Sequence, residues 1–289
     1  MADRDRRSGA VLSMTNKDIG RRPAIQKLPF SFLICKYIDL PSLTLPQMCW
    51  SGAEKFQDNL ALVDAVNGDS FTFSEARSLA RSFESGLVRM GGQAADVVAI
   101  VLPNMPQYAL AFLGAAEAGF VITTLNPTYT SGEIKGQLMN SETKFIVTSK
   151  QLLPKVKDAT EGTNIQIRLI GDQHDPNCIS FDTMLKDQGD LIDSYVTSPD
   201  SVVVLPYSSG TTGVPKRVQL THRNLVAQME QLAHPEVKLV DIEQGTVCVL
   251  PLYHIFAMHV TMYTMLWNAG KLVAVPMFEP SMFLKTLVD

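Results

Sequence analysis

The chain has 289 residues, with 25 Lys and Arg against 29 Asp and Glu, a formal charge of −4 and 46% apolar residues. Such a balance excludes a protein whose affinity comes from neutralising nucleic-acid phosphates, and 18 glycines with 16 prolines exclude collagen-like and low-complexity classes. The length suits one large or two modest domains with a substantial core.

Residues 1–25 are polar, rich in Arg and unpatterned, and read as a disordered extension. The first apolar run, 28–35, is short and late, so no signal peptide is expected. Over 71–90, Ala76, Leu79, Ala80, Phe83, Leu87 and Met90 recur at helical spacing, with Ser74 read as the N-cap and Gly91-Gly92 as the stop. Strands are predicted at 96–102 and 120–125, flanking a helix that opens at Asn104 and Pro106 and runs through Glu117. Further strands are predicted at 144–148, 165–170, 202–205, 247–250 and 272–275, with helices at 151–158, 223–232 and 258–267. Strands apolar on both faces and separated by helices predict an α/β fold of mostly parallel sheets covered by helices, with a subdomain boundary near residue 195.

Cys35, Cys49, Cys178 and Cys248 are scattered without a C-x-x-C pair, which fits free thiols in a reducing compartment, most of them in the core. His174 and Cys178 lie four positions apart, but no second pair follows and no metal site is expected. The stretch 244–270 has no charged residue and is long enough to cross a bilayer. It also holds Pro251, His254, His259 and Asn268, so burial inside protein is the better reading and no membrane span is expected.

The chemistry concentrates in Tyr207-Ser208-Ser209-Gly210-Thr211-Thr212-Gly213-Val214-Pro215-Lys216, between the strand at 202–205 and the helix that follows. Glycines let backbone N–H groups turn toward an anion, hydroxyls add donors, and Lys216 supplies a mobile positive charge. A solvated Ser/Thr turn uses the same residue types, but it rarely ends in Gly-x-Pro-Lys after a buried strand, so a phosphate cradle is favoured. It is not a Walker A loop, which needs Gly-Lys where Gly210 is followed by Pro215 and Lys216.

YSSGTTGVPK followed by VQLTHRNLVA closely resembles the phosphate-binding signature of the adenylate-forming acyl-CoA synthetases, especially the 4-coumarate–CoA ligase-like members. DVVAIVLPNMPQYALAFLGAAEAGFVITTLNPTYTSGEI is similar to an earlier strand-helix-strand region of that family, and VLPLYHIFAM to its acyl-pocket motif. The resemblance covers about residues 30–289 and implies a partial AMP-binding domain over 26–289. It implies ATP-dependent ligation of a small carboxylic acid to coenzyme A through an acyl-adenylate. By the match, Ser208, Ser209, Gly210, Thr211, Thr212 and Gly213 would wrap the β and γ phosphates, and Lys216 would offset their charge. His254 would sit near the reacting carboxylate, with Phe256 and Ala257 lining the acyl pocket. From the residues alone, a core histidine bonded to a backbone carbonyl is the simpler reading of His254, and the resemblance reverses that preference. Met258, Met262 and Met265 read as core packing and His259 as structural.

Two positions depart from the family pattern. Arg217 stands where Pro-Lys is commonly followed by Gly, which allows obstruction, a simple sequence variant or a clasp on phosphate. Met277 stands where coumarate-type ligases often carry a lysine that meets coenzyme A. The later family motifs for the nucleotide, the ribose and Mg2+, and the C-terminal lid, are not found, so magnesium ligands are expected beyond residue 289 and the chain alone is expected to be inactive and poorly soluble. The alternatives are a non-catalytic paralogue that binds or regulates a partner, and a luciferase-like adenylating oxygenase. Location, by the same resemblance, is cytoplasmic or peroxisomal.

Overall fold

A strand that is apolar on both sides has to be covered on both faces, and the computed structural model shows how this chain does it. The structure describes residues 38–171, 175–186, 198–208, 215–233 and 245–288. The 1–25 extension, the boundary near 195, Cys35 and His174 lie outside the described residues. All that follows belongs to one unit, Asp39–Asp289.

The chain opens with α1 (Leu45–Ser51), β1 (Leu60–Asp64), β2 (Ser70–Thr72) and α2 (Phe73–Arg89). An alternating run follows: β3 (Val97–Val101), α3 (Pro106–Glu117), β4 (Val121–Thr124), α4 (Ser131–Asn140), β5 (Thr143–Ser149), α5 (Leu153–Thr160) and β6 (Gln166–Ile170). Then come β7 (Cys178–Ser180), α6 (Phe181–Met184), β8 (Val202–Leu205), β9 (Tyr207–Ser208), β10 (Lys216–Arg217), β11 (Leu220–Thr221) and α7 (His222–Ala233). The last elements are β12 (Thr246–Cys248), α8 (Ile255–Ala257), a π-helical segment (Met258–Tyr263), α9 (Thr264–Trp267), β13 (Leu272–Ala274) and α10 (Pro280–Val288).

Seven strands form one sheet in the order β11-β8-β4-β3-β5-β6-β7, parallel except for β11 at the edge. Four more form a second sheet, β12-β13-β1-β2, in which β1 and β12 both run parallel to β13. The larger sheet is covered on both faces. Val98 and Ile100 of β3 and Phe145 and Val147 of β5 join the core under α2 and α3, with Phe83, Phe112 and Phe120. Their alternates Ala99, Val101 and Ile146 pack with Ile134, Leu138 and Val156 of α4 and α5. Each fully buried Phe or Leu contributes about 1.5–3 kcal/mol by leaving water. The fold class read from the sequence is therefore the one observed.

Several boundaries differ from the sequence reading for local reasons. Helix α2 is capped by Thr72, not Ser74: the Thr72 hydroxyl accepts from Glu75 N at 3.2 Å while the Glu75 carboxylate accepts from Thr72 N at 2.8 Å. Ser74 has Arg77, not an acid, three positions on, so it cannot close that reciprocal box. Helix α5 begins at Leu153 rather than 151, because Pro154 is tolerated only in a first turn. Gly91 at φ +83 and Gly119 at φ +74 end α2 and α3 in the left-handed conformation that glycine adopts at no steric cost. The uncharged stretch becomes β12, a loop and the short helical segments from Ile255 to Trp267, and no helix among the described residues is long and apolar enough to cross a membrane.

Candidate functional site

Strand β8 ends at Leu205, and the chain passes Pro206 into a small hairpin in which Ser208 faces Lys216 and Tyr207 faces Arg217. The two residues that bracket the hydroxyl-and-glycine loop are thus held side by side. Ser209, Gly210, Thr211, Thr212 and Gly213 lie outside the described residues. Ser208, Pro215 and Lys216 are exposed. The hairpin is tied to α4: Tyr207 OH donates to Asn140 Oδ1 at 2.5 Å and Arg217 Nη1 donates to Asn140 O at 3.1 Å. The last carbonyls of a helix lack partners and carry partial negative charge, so a guanidinium is favoured there. Arg217 therefore has a protein partner for one of its nitrogens.

His254 arrives from the other sheet. After Cys248 the chain leaves β12, where 247–250 reads as a strand from sequence, and the divergence has a visible cause: Asn104 Nδ2 donates to Cys248 O at 3.0 Å and to Leu250 O at 2.9 Å. His254 then caps the first turn of α8, its Nδ1 accepting from Phe256 N at 3.3 Å. With Nδ1 used as an acceptor, a neutral imidazole carries its proton on Nε2, the nitrogen left free to donate. His254 is exposed, not a core histidine. His259 is buried and stands edge-on to Tyr263 at 5.7 Å, its pKa lowered by burial to about 4, consistent with a structural role. Met258, Met262 and Met265 are core residues, as read from their spacing.

These pieces meet in a cavity of about 480 Å³ at the carboxyl ends of β4 and β8. Ser208 and Pro215 form one wall and Tyr253, His254 and Ile255 another. Thr124, Asn126, Tyr129 and Gln137 close a third side, and Gln137 is fixed there by donating to Thr123 Oγ1 at 3.0 Å and Thr124 O at 3.1 Å. A second cavity of about 380 Å³ adjoins it, sharing Tyr129, Gln137, Tyr207 and Pro215. The carboxyl ends of parallel strands are where open α/β sheets bind ligands.

Phe256 is 57% exposed and Ala257 is buried, and neither belongs to the wall of this cavity, whose aromatic lining is Tyr129, Tyr207 and Tyr253. Met277 is 74% exposed. Thr124 and Gln137 were not picked out from sequence, and Asn104 was read only as the start of a helix, whereas the N-cap of α3 is Met105 and the Asn104 side chain turns to 248–252. Asn104, Thr124 and Asn126 lie within the strand-helix-strand stretch that carries the family resemblance, but nothing in their spacing marks Thr124 and Asn126 as sharing a cavity with His254, or Asn104 as bonded to 248–252. No group of three or more His, Cys, Asp or Glu among the described residues could hold a metal ion.

Residues 49–289 match the family model described as AMP-binding enzyme. The chain belongs to the AMP-binding enzyme family. It is 37% identical over 229 residues to 4-coumarate–CoA ligase 1 of Petroselinum crispum, an alignment covering 76% of this chain and 42% of that one. Among solved structures it is similar to a long-chain-fatty-acid–CoA ligase from Archaeoglobus fulgidus, with a TM-score of 0.77, 25% identity and coverage of 86% and 50%. It also shares the fold of a luciferase-like enzyme from Zophobas morio, with a TM-score of 0.76, 19% identity and coverage of 87% and 59%. The chain spans about half the length of the curated relatives it matches.

Proposed function

We propose that this chain supplies the ATP-phosphate and carboxylate side of an AMP-forming acid–CoA ligase of the 4-coumarate type. The observation that carries the reading is one cavity whose walls include both ends of the hydroxyl-and-glycine loop, Ser208 and Pro215, together with His254.

A carboxylate is a poor electrophile, and ATP removes that obstacle. A carboxylate oxygen forms a bond to the α-phosphorus, the bond from that phosphorus to the bridging oxygen breaks, and pyrophosphate leaves with the electron pair. The sulfur of coenzyme A then attacks the acyl carbon, AMP leaves and the thiol proton is lost. Two anions must be held in line in the first step while charge grows on the leaving group. Lys216, across the hairpin from Ser208, offsets that charge, and the Ser208 hydroxyl donates to a phosphate oxygen. His254 donates from Nε2 to a carboxylate oxygen and orients it. Magnesium, implied by the resemblance, has no candidate group of three or more ligands among the described residues. Similarity to the Zophobas morio enzyme speaks for the fold alone.

Calorimetric ATP binding and pyrophosphate release with 4-coumarate, on the full chain, test the reading. Lys216→Ala is expected to weaken ATP binding at least tenfold, about 1.4 kcal/mol. His254→Ala is expected to leave ATP affinity within about twofold and lower any acid-dependent pyrophosphate release. ATP affinity indifferent to Lys216→Ala would overturn the assignment. The chain alone is not expected to release pyrophosphate, so the acid decides between the readings: firm ATP binding that 4-coumarate leaves unchanged would make the chain a nucleotide-binding partner instead, the reading favoured by an exposed, uncharged Met277.

A further inference from the structure

The segment that delivers His254 is held by side chains that are not on it. Among the described residues strand β12 has a sheet partner on one side only, β13, and it ends at Cys248. Beyond that point the backbone of 249–253 has no ladder to follow, and its polar groups need other partners. Asn104 provides two of them, on Leu250 and Leu252, and also holds the carbonyl of Cys248 where the strand ends. It lies in the short connection between β3 and α3 and is 5% exposed. Its Nδ2 donates to Cys248 O at 3.0 Å and Leu250 O at 2.9 Å, while its Oδ1 accepts from Leu252 N at 2.8 Å. One strand over, Thr124 Oγ1 donates to Tyr253 O at 2.8 Å. The next residue is His254, which closes a turn of its own through His254 N to Pro251 O at 3.0 Å.

We propose that Asn104 is the positioning residue for His254: its carboxamide sets the path of 248–252, and through that path aims the imidazole into the cavity. This rests on the reading of His254 as the group that meets the carboxylate. The chemistry is specific to asparagine. Two donors and one acceptor are needed within one short planar group, buried, and at fixed reach. Aspartate keeps the volume and the acceptor for Leu252 N but loses both donors and sets negative charge against two carbonyl oxygens. Glutamine is one methylene too long for a packed site. The arrangement also joins the two sheets at the place that matters, since Asn104 follows β3 of the larger sheet while its partners leave β12 of the smaller one.

The test uses the full chain with ring-13C-labelled histidine, His254 being assigned through His254→Gln. In the wild type, 4-coumarate with ATP is expected to shift the His254 resonance saturably. Asn104→Ala and Asn104→Asp are expected to displace or broaden that resonance and to weaken the response to 4-coumarate about tenfold. ATP binding should stay within about twofold, and the buried His222 and His259 signals should stay in place. A merely structural role would move all the histidines together, and that result would overturn the proposal, as would a His254 signal and acid response identical to wild type. Asn104→Asp decides the matter if Asn104→Ala does not fold. A wild-type His254 that responds to no acid would overturn the reading of the site and the proposal with it, whereas an unchanged response in a folded variant overturns the proposal alone.

Discussion

Arg168 on β6 exposes none of its surface, yet its Nε and Nη1 have no hydrogen-bond partner. Only Nη2 is engaged, donating to Gln166 Oε1 at 3.0 Å, and the guanidinium lies 4.9 Å from the centre of the Phe145 ring. Burial pulls its pKa down to about 10. A cation taken out of water without a carboxylate is a net cost that one hydrogen bond and one ring contact do not offset. Arg168→Met, which keeps the length and removes the charge, is therefore expected to match or exceed wild-type stability, by up to about 2 kcal/mol in urea titration. A clear loss would mean that the ring contact outweighs desolvation. Residues of this kind are invisible in sequence: Arg168 reads as an interruption in an apolar run. Lys216, by contrast, was singled out by the chemistry of its loop neighbours, and His254 by the family resemblance against the simpler reading of a core histidine; both are exposed. What the motif did not reveal was that Arg217 turns to the end of α4.

At the scale of elements, helices α2 and α3 pack tightly where Gly114 meets Ala80. A Cβ on Gly114 would lie 2.3 Å from Ala80 O, a clash of backbone with side chain that only separation of the helices relieves. Gly114→Ala is expected to cost about 1–3 kcal/mol or more in chemical denaturation. Gly136→Ala on α4, with nothing within 4 Å of the new methyl, is expected to be neutral or to stabilise by up to about 1 kcal/mol. Equal effects at the two sites would refute the packing argument. Elements with strong local signals were legible: β3, α3, β4, β5 and α7 fall within a residue or two of their expected places. Strand β1 was not read, because its parallel partner β13 lies far along the chain and its five residues show no clean alternation. Helix α4 was missed for a related reason, since only Ile134, Gln137 and Leu138 are buried on it and the periodic signal is thin. Helix α10 buries none of its residues, and Leu284, Leu287 and Val288 stand 57–87% exposed. That is an apolar surface of the sort that lowers solubility.

At the scale of the molecule, four groups among the described residues carry large shifts between about 4 and 8 and so bear on the pH dependence of stability. Burial raises Glu84 to about 8 and Glu117 to about 7, with mutual repulsion adding at Glu84 and Arg81 opposing at both. The folded state therefore holds protons that the unfolded chain releases near 4.5, and this stability is lost as pH rises through 7 and 8. Burial lowers His222 and His259 to about 4, so the unfolded chain binds more protons between about 4 and 6.5 and stability from these groups grows with pH across that window. Two groups of each kind oppose one another between about 4.5 and 6.5, and above that only the carboxyls act. Melting temperature is expected to be nearly level over that range and to fall between about 6.5 and 8, and Glu84→Gln with Glu117→Gln should abolish the alkaline fall. A melting temperature still rising at pH 8 would contradict the assignment of these carboxyls as neutral in the fold.

Local pattern along the chain was enough for the α/β class and the doubly covered strands, because each depends on residues a few positions apart and on how apolar side chains alternate, and the family was reached through the resemblance of three contiguous motifs. The cavity has a different origin. His254 and Ser208 come from separate sheets, Thr124 and Gln137 complete the enclosure, and Asn104 aims the histidine from yet another connection. Those neighbours are chosen by which strands pair and how two sheets dock, and pairing over long separations is a cooperative outcome of packing that no short stretch of residues contains.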